Sequence, residues 1–196
     1  MSAPTGLTDR TDRSARAANV AMWLFTASIV MFVASLVSGY LLLRAGSETW
    51  PMPWRHDGVA AIADPWFRLL WLVVAAVTAR TATRDAGSPD ASSLLTRHPL
   101  PIAALAGVVF IARTVSAGRA LVAAGHGPAS HNAPATWFAL NGVVAALVLG
   151  GVVATIVVAL GSVDPTCRRR RARQLMRYWV LMAACFAVVA VGMYFV

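Results

Sequence analysis

Four histidines, eight carboxylates and seventeen arginines are the residues of this 196-residue chain with the most chemistry to offer, and their placement excludes most of it. His126 and His131 share the stretch GHGPASHNAP. They could ligate one metal ion if a third donor joined them, but no Cys or acidic residue stands nearby. His56 and His98 lie in polar stretches. None of the four is inside a long apolar run, so two imidazoles cannot face each other at depth as a bis-histidine haem site requires. The acids (Asp9, Asp12, Glu48, Asp57, Asp64, Asp85, Asp90 and Asp164) also lie outside those runs, which leaves no carboxylate relay for protons. Cys167 adjoins an arginine run and Cys185 sits in an apolar one, a poor pair for a disulfide. The chain is therefore expected to hold no catalytic residue, metal or cofactor of its own.

Arg113 is the costly exception, because it falls near the middle of an apolar run. An arginine at mid-bilayer costs about 2.5–3.5 kcal/mol on insertion scales, so it needs a partner or water. The sequence offers Asn141 in the next run, Ser116 close by, a lipid phosphate reached by snorkelling, or an acid on another subunit. A substrate or ion site is a further reading.

The elements that would position these residues are membrane spans. The chain is 58% hydrophobic and only 13% charged, about half the charge of a soluble domain. The stretch 20–43 carries no charge, and at 1.5 Å per residue it covers about 36 Å, enough for a hydrocarbon core of about 30 Å. Arg44 closes it, and Trp50, Pro51 and Trp54 follow where aromatic rings favour the interface. Further spans are expected at about 66–83, 99–124, 135–160 and 178–196. The second is the weakest, with only eleven uninterrupted apolar residues between Arg68 and Arg80, which are expected to snorkel toward opposite faces.

Placing the N-terminus inside puts twelve arginines on the inner side and four on the outer. The charge bias thus predicts an all-α integral membrane bundle of five transmembrane helices, N-terminus inside and C-terminus outside. Residues 1–18 read as a polar tail and 19–196 as the transmembrane domain. Every basic residue is Arg and most flank apolar runs, so a nucleic-acid partner is not expected. Arg168, Arg169, Arg170, Arg171 and Arg173 read as an inner-face anchor to anionic lipid. Gly142, Ala146, Gly150 and Ala154 recur every four residues, a small-residue stripe that allows close helix packing.

The stretches AMWLFTASIVMF and GYLLLRAGSETWP, with Met22-Trp23-Leu24-Phe25, Ser28, Met31-Phe32, Arg44-Ala45 and Trp50-Pro51, resemble the start of the five-helix bundle of haem-copper oxidase subunit III. The likeness continues in order through GVVFIARTVSAGRALVAAGHGP, through FALNGVVAALVLGG with Gly142 and Gly150-Gly151, and into Arg177-Tyr178-Trp179 and Tyr194-Phe195. The resemblance places the family's intramembrane Glu positions at Ile29 and Ala117, its histidines at Val144, Leu147 and Val180, and its last-helix Asp at Ala183.

The resemblance implies a non-catalytic accessory subunit in the plasma membrane of a bacterium, packed on a haem-copper catalytic subunit that carries the haem and copper. Such a subunit stabilises its partner and holds phospholipid. Arg113, Asn141, Trp23 and Arg44 are then the candidate lipid or subunit contacts. A nitric oxide reductase-type complex is a related possibility, a stand-alone scaffold or assembly factor with the same fold is the alternative, and a small transporter stands behind both.

Overall fold

Proline opens three of the helices. Pro65, Pro99 and Pro165 each occupy a first helical position, where the missing N–H costs nothing and φ is already set. In the computed structural model the elements are α1 (Thr5–Ala45), α2 (Pro65–Asp85), α3 (Pro99–Ala123), α4 (Asn132–Leu160) and α5 (Pro165–Tyr194). The structure describes residues 5–48, 50, 52, 64–85, 99–161 and 165–194, the side chains of 5–15, 84–85 and 165–169 excepted. No strand occurs among the described residues. Pro51, Trp54, His56, His98 and the side chains of Cys167, Arg168 and Arg169 lie outside them.

Local signals set the helix ends. Asp64 caps α2 by accepting the Trp66 backbone N–H at 2.9 Å. α3 ends in a Schellman motif: Gly125 has φ +83°, His126 N–H donates to Leu121 O, and Gly125 N–H donates to Val122 O. That turn sends α4 back antiparallel to α3.

Two ends differ from expectation. The stretch expected as a polar tail is helical from Thr5, and the arginine run expected as a loop is helical from Pro165. Both carry several arginines, and the first also Ala15, Ala17 and Ala18; these residue types favour helix whatever their affinity for lipid, so an adjoining span propagates into them.

Among the described residues, four stretches are long and apolar enough to cross a membrane: Arg16–Ala45, Pro99–Ala123, Asn132–Leu160 and Arg170–Tyr194. The chain is a multi-pass membrane protein. α2 is not among the four, yet it is a full member of the bundle. It packs along α3 and α5, α4 packs along the other sides of both, and the four close into a ring. Arg68, Leu72, Ala75 and Ala79 recur at helical spacing and are fully buried, while Trp66, Leu70, Val73 and Val77 face outward. α1 stands at the periphery against α5 and α4, burying little beyond Ile29, Val33 and Tyr40.

The tightest packing surrounds Trp179, which is fully buried. A Cβ at Gly107 would lie 2.7 Å from its ring and 2.5 Å from Val152 Cγ2; one at Gly151 would lie 2.5 Å from Tyr178 Cε1. These glycines are seats for aromatic rings. Gly142, by contrast, faces open space. Gly107→Val should therefore destabilise the bundle by about 1–3 kcal/mol through overpacking. Gly142→Ala should be neutral or stabilise it by up to about 1 kcal/mol through helix propensity. Thermal unfolding in detergent micelles, followed by circular dichroism, checks both.

Candidate functional site

The polar centre of the bundle is built on Arg68. One turn into α2, its side chain is fully buried. Nη1 donates to Asn141 Oδ1 at 2.7 Å, Nη2 to Tyr194 Oη at 3.3 Å, and Nε to Asp64 O at 3.5 Å. The guanidinium carbon lies 5.7 Å from the Trp137 ring and 5.2 Å from the Phe186 ring, both within cation–π range. Asn141 completes the cluster: its Nδ2 donates to Trp137 O at 3.0 Å and to Met193 Sδ at 3.8 Å. Because a guanidinium can only donate, the amide oxygen must face it, and this fixes the Asn141 orientation. The arrangement binds α2 to α4 and α5 through one cation.

This corrects two expectations. Arg68 does not snorkel; it turns inward, because it shares a face with Leu72, Ala75 and Ala79. Asn141, offered above as a partner for Arg113, is engaged by Arg68 instead. The signal for Arg68 was present in that spacing, but its position near the end of an apolar run masks it.

Arg113 is half-buried on α3, with its guanidinium carbon 4.9 Å from the centre of the Phe67 ring on α2. Its Nε is buried with no hydrogen-bond partner among the described residues. Ser116, the other candidate within the chain, donates its hydroxyl to Ala112 O of its own helix. Arg44 turns back along α1, where Nη1 donates to Tyr40 Oη at 3.4 Å, and Tyr40 meets Trp50 edge-on at 5.7 Å. Trp23 is 67% exposed on the outer face of α1. Arg171 and Arg173 are exposed and Arg170 is half-buried.

The small-residue stripe also faces outward. Gly142, Ala146, Gly150 and Ala154 are exposed, and it is Gly151, one residue along, that receives Tyr178 inside the bundle. Tyr178 stacks on Phe25 of α1 at 6.2 Å and donates its hydroxyl to Leu147 O, so it joins α1, α4 and α5. Beside it a groove of about 350 Å³ opens between α1, α4 and α5, with Arg171 and Gln174 at its polar end. A second groove, of about 550 Å³, lies between α3 and α4, with Asn141 and Gly142 in its lining and Arg119 at its rim.

His131 immediately precedes α4, and no group of three metal-ligating side chains occurs among the described residues. The polar contacts described here hold helices to one another. Compared with known protein families and with curated proteins, the chain matches none.

Removing one partner of a buried charge costs more than removing the pair. Asn141→Leu alone should cost about 1.5–3 kcal/mol, the worth of a hydrogen bond to a charged group. The double variant Arg68→Met with Asn141→Leu should recover part of that loss. A double-mutant cycle on detergent unfolding midpoints measures the coupling.

Proposed function

We propose that this chain is a non-catalytic, subunit III-like accessory subunit of a respiratory haem-copper oxidase complex, which stabilises the catalytic subunit and holds phospholipid. The observation that carries the reading is the way the residues of the family likeness meet in space. Trp179 and Tyr178 from the RYW stretch seat on Gly107 and Gly151 from two other quoted stretches, and Phe25 from the first stacks on Tyr178. Residues far apart in sequence that carry one ordered resemblance thus form one packing unit. Ile29, Ala117 and Val144, where the family has ionisable groups, are buried apolar residues here. That favours a supporting role over proton handling.

The same reading takes all five helices across the plasma membrane of a bacterium, N-terminus inside and C-terminus outside. Its support is the arginine bias together with the apolar outer face of α2, whose charged residue near the start of the helix is turned inward. Haem and copper belong to the partner subunits. Phospholipid is held along the exposed faces and at the inner arginines.

Affinity purification of the full chain from its native membranes in mild detergent tests the role. A reduced-minus-oxidised haem spectrum is expected to follow the chain through purification. An intact, active oxidase recovered without it would overturn the reading. Association only while the complex is being built would identify the assembly-factor alternative. Reporter fusions test the topology: insertions at 86–98 should report inside, and those at 126–130 and the C-terminus outside.

A further inference from the structure

We propose that the groove between α3 and α4 holds one anionic phospholipid, with its phosphate on Arg119 and an acyl chain lying inward along Phe138 and Gly142. This site deepens the lipid-holding part of the reading above. It rests only on the chain being a membrane protein, and no haem-bearing partner is required.

Length is the first observation. The groove, of about 550 Å³, runs along α3 from Ala123 to Thr114 and along α4 from Trp137 to Ala145. At 1.5 Å per residue that is about 13.5 Å on one helix and about 12 Å on the other. It begins at the end where the Gly125 turn joins the two helices, and it stops within one turn of their midpoints, Ile111 and Ala146. The groove thus covers half of the crossing, close to the 15 Å or so of one leaflet's hydrocarbon. A transmembrane helix from another protein would need a channel along the whole of α3 and α4. An acyl chain of one leaflet ends where the groove ends.

Charge and polarity fit the same occupant. Arg119 is exposed at the rim, four residues from the end of α3 or about 6 Å of helix, so its own side chain carries the guanidinium to headgroup level. It is the only Arg, Lys, Asp or Glu between Arg113 and Asp164. A phosphate arriving at this end therefore meets a cation and no carboxylate from either helix. Deeper in, Thr114 and Asn141 are already bonded within the bundle: Thr114 Oγ1 donates to Phe110 O at 2.9 Å, and Asn141 is engaged by Arg68 and by Trp137 O. What the walls offer an occupant is apolar surface from Val115, Val122 and Phe138. A cation at the membrane edge followed by hydrocarbon is the complement of a phospholipid.

The space is made by a glycine. A Cβ at Gly142 would meet nothing within 4 Å, whereas one at Gly118 on α3 would lie 3.1 Å from Phe138 Cε1. The Phe138 ring thus lies against α3 as a wall and leaves the room beside Gly142 open. A second copy of this chain, received by the same face in the same membrane orientation, would bring two Arg119 cations together.

Native mass spectrometry of the full chain in mild detergent tests the site, with palmitoyl-oleoyl phosphatidylglycerol and the phosphatidylcholine of the same chains as probes. The wild type is expected to retain one phosphatidylglycerol more than Gly142→Phe, in which a ring fills the groove. Phosphatidylcholine should be stripped from this site under the same conditions. Arg119→Gln should weaken that one phosphatidylglycerol about fivefold, the contribution of an arginine beside an anionic membrane surface. The double variant should lose no more than Gly142→Phe alone, because both changes act on one lipid. Val77→Phe adds a ring on the exposed face of α2 and should leave the count unchanged. Gly142→Leu serves in place of Gly142→Phe if the larger ring lowers the yield of folded chain.

Equal phosphatidylglycerol counts in the wild type and the filled-groove variant would overturn the inference. So would equal retention of the two lipids unaffected by Arg119→Gln, the mark of a groove that takes acyl chains without regard to charge. A dimer that Gly142→Phe dissociates would overturn it as well, by showing that a second copy covers the groove. A lipid-retaining chain whose native complex carries no haem would sustain this inference and remove the oxidase reading. A haem-bearing complex whose chain keeps the same lipid count with Gly142→Phe would do the reverse.

Discussion

A single buried cation governs how this bundle closes. Arg68 brings a full charge to a place no water reaches, and such burial costs several kcal/mol even after relaxation. Hydrogen bonds to Asn141, Tyr194 and Asp64 O and two aromatic faces offset part of that cost. The effect of the cluster is on arrangement. An alternative packing that rotated α2 about its axis would strand the guanidinium against lipid or against apolar side chains. Only with α4 and α5 on the correct sides do Asn141 and Tyr194 meet it.

The remaining packing is compatible with that constraint and is of a different kind. Around Trp179 the fit is steric, with glycines on α3 and α4 leaving room for large rings on α5. Polar contacts here are secondary: Trp179 Nε1 donates to Thr155 Oγ1 at 3.2 Å, and Thr155 in turn donates to Gly151 O at 2.7 Å. One end of the bundle is thus keyed by a cation and the middle by shape. α1 stands outside the ring and meets it from Phe25, stacked on Tyr178, to Val37, which lies beside Gly192.

Much of this architecture is legible in the sequence, because uncharged runs of 20 or more residues carry their own signal for crossing lipid. The ends at Thr5 and Pro165 are not, since hydropathy measures preference for lipid and says nothing about how far an arginine-bearing segment prolongs a helix. The polar site shows the same division. Arg113 stands out by its depth in an apolar run, whereas Arg68 stands near the end of one and reads as a surface residue until its register with Leu72, Ala75 and Ala79 is considered. Register also separates Gly150 from Gly151. Adjacent helical residues point about 100° apart, so a stripe counted every fourth residue can miss the glycine that receives a neighbour. Which residue on α4 would meet Arg68 depends on a contact 73 positions away, and no local pattern encodes it.

That separation bears on how the protein is made. Translation makes α1 before the other four helices, and α1 finds its contacts on α4 and α5, which emerge well after it. It has to survive alone in the bilayer until then, which its long uncharged stretch permits. α2 faces the harder wait. Arg68 enters before Asn141 exists and well before Tyr194, 126 residues later, is translated. During that interval the guanidinium must be sheltered by water at the membrane edge, by the insertion machinery or by lipid headgroups. Its place near the end of α2 keeps that shelter within reach.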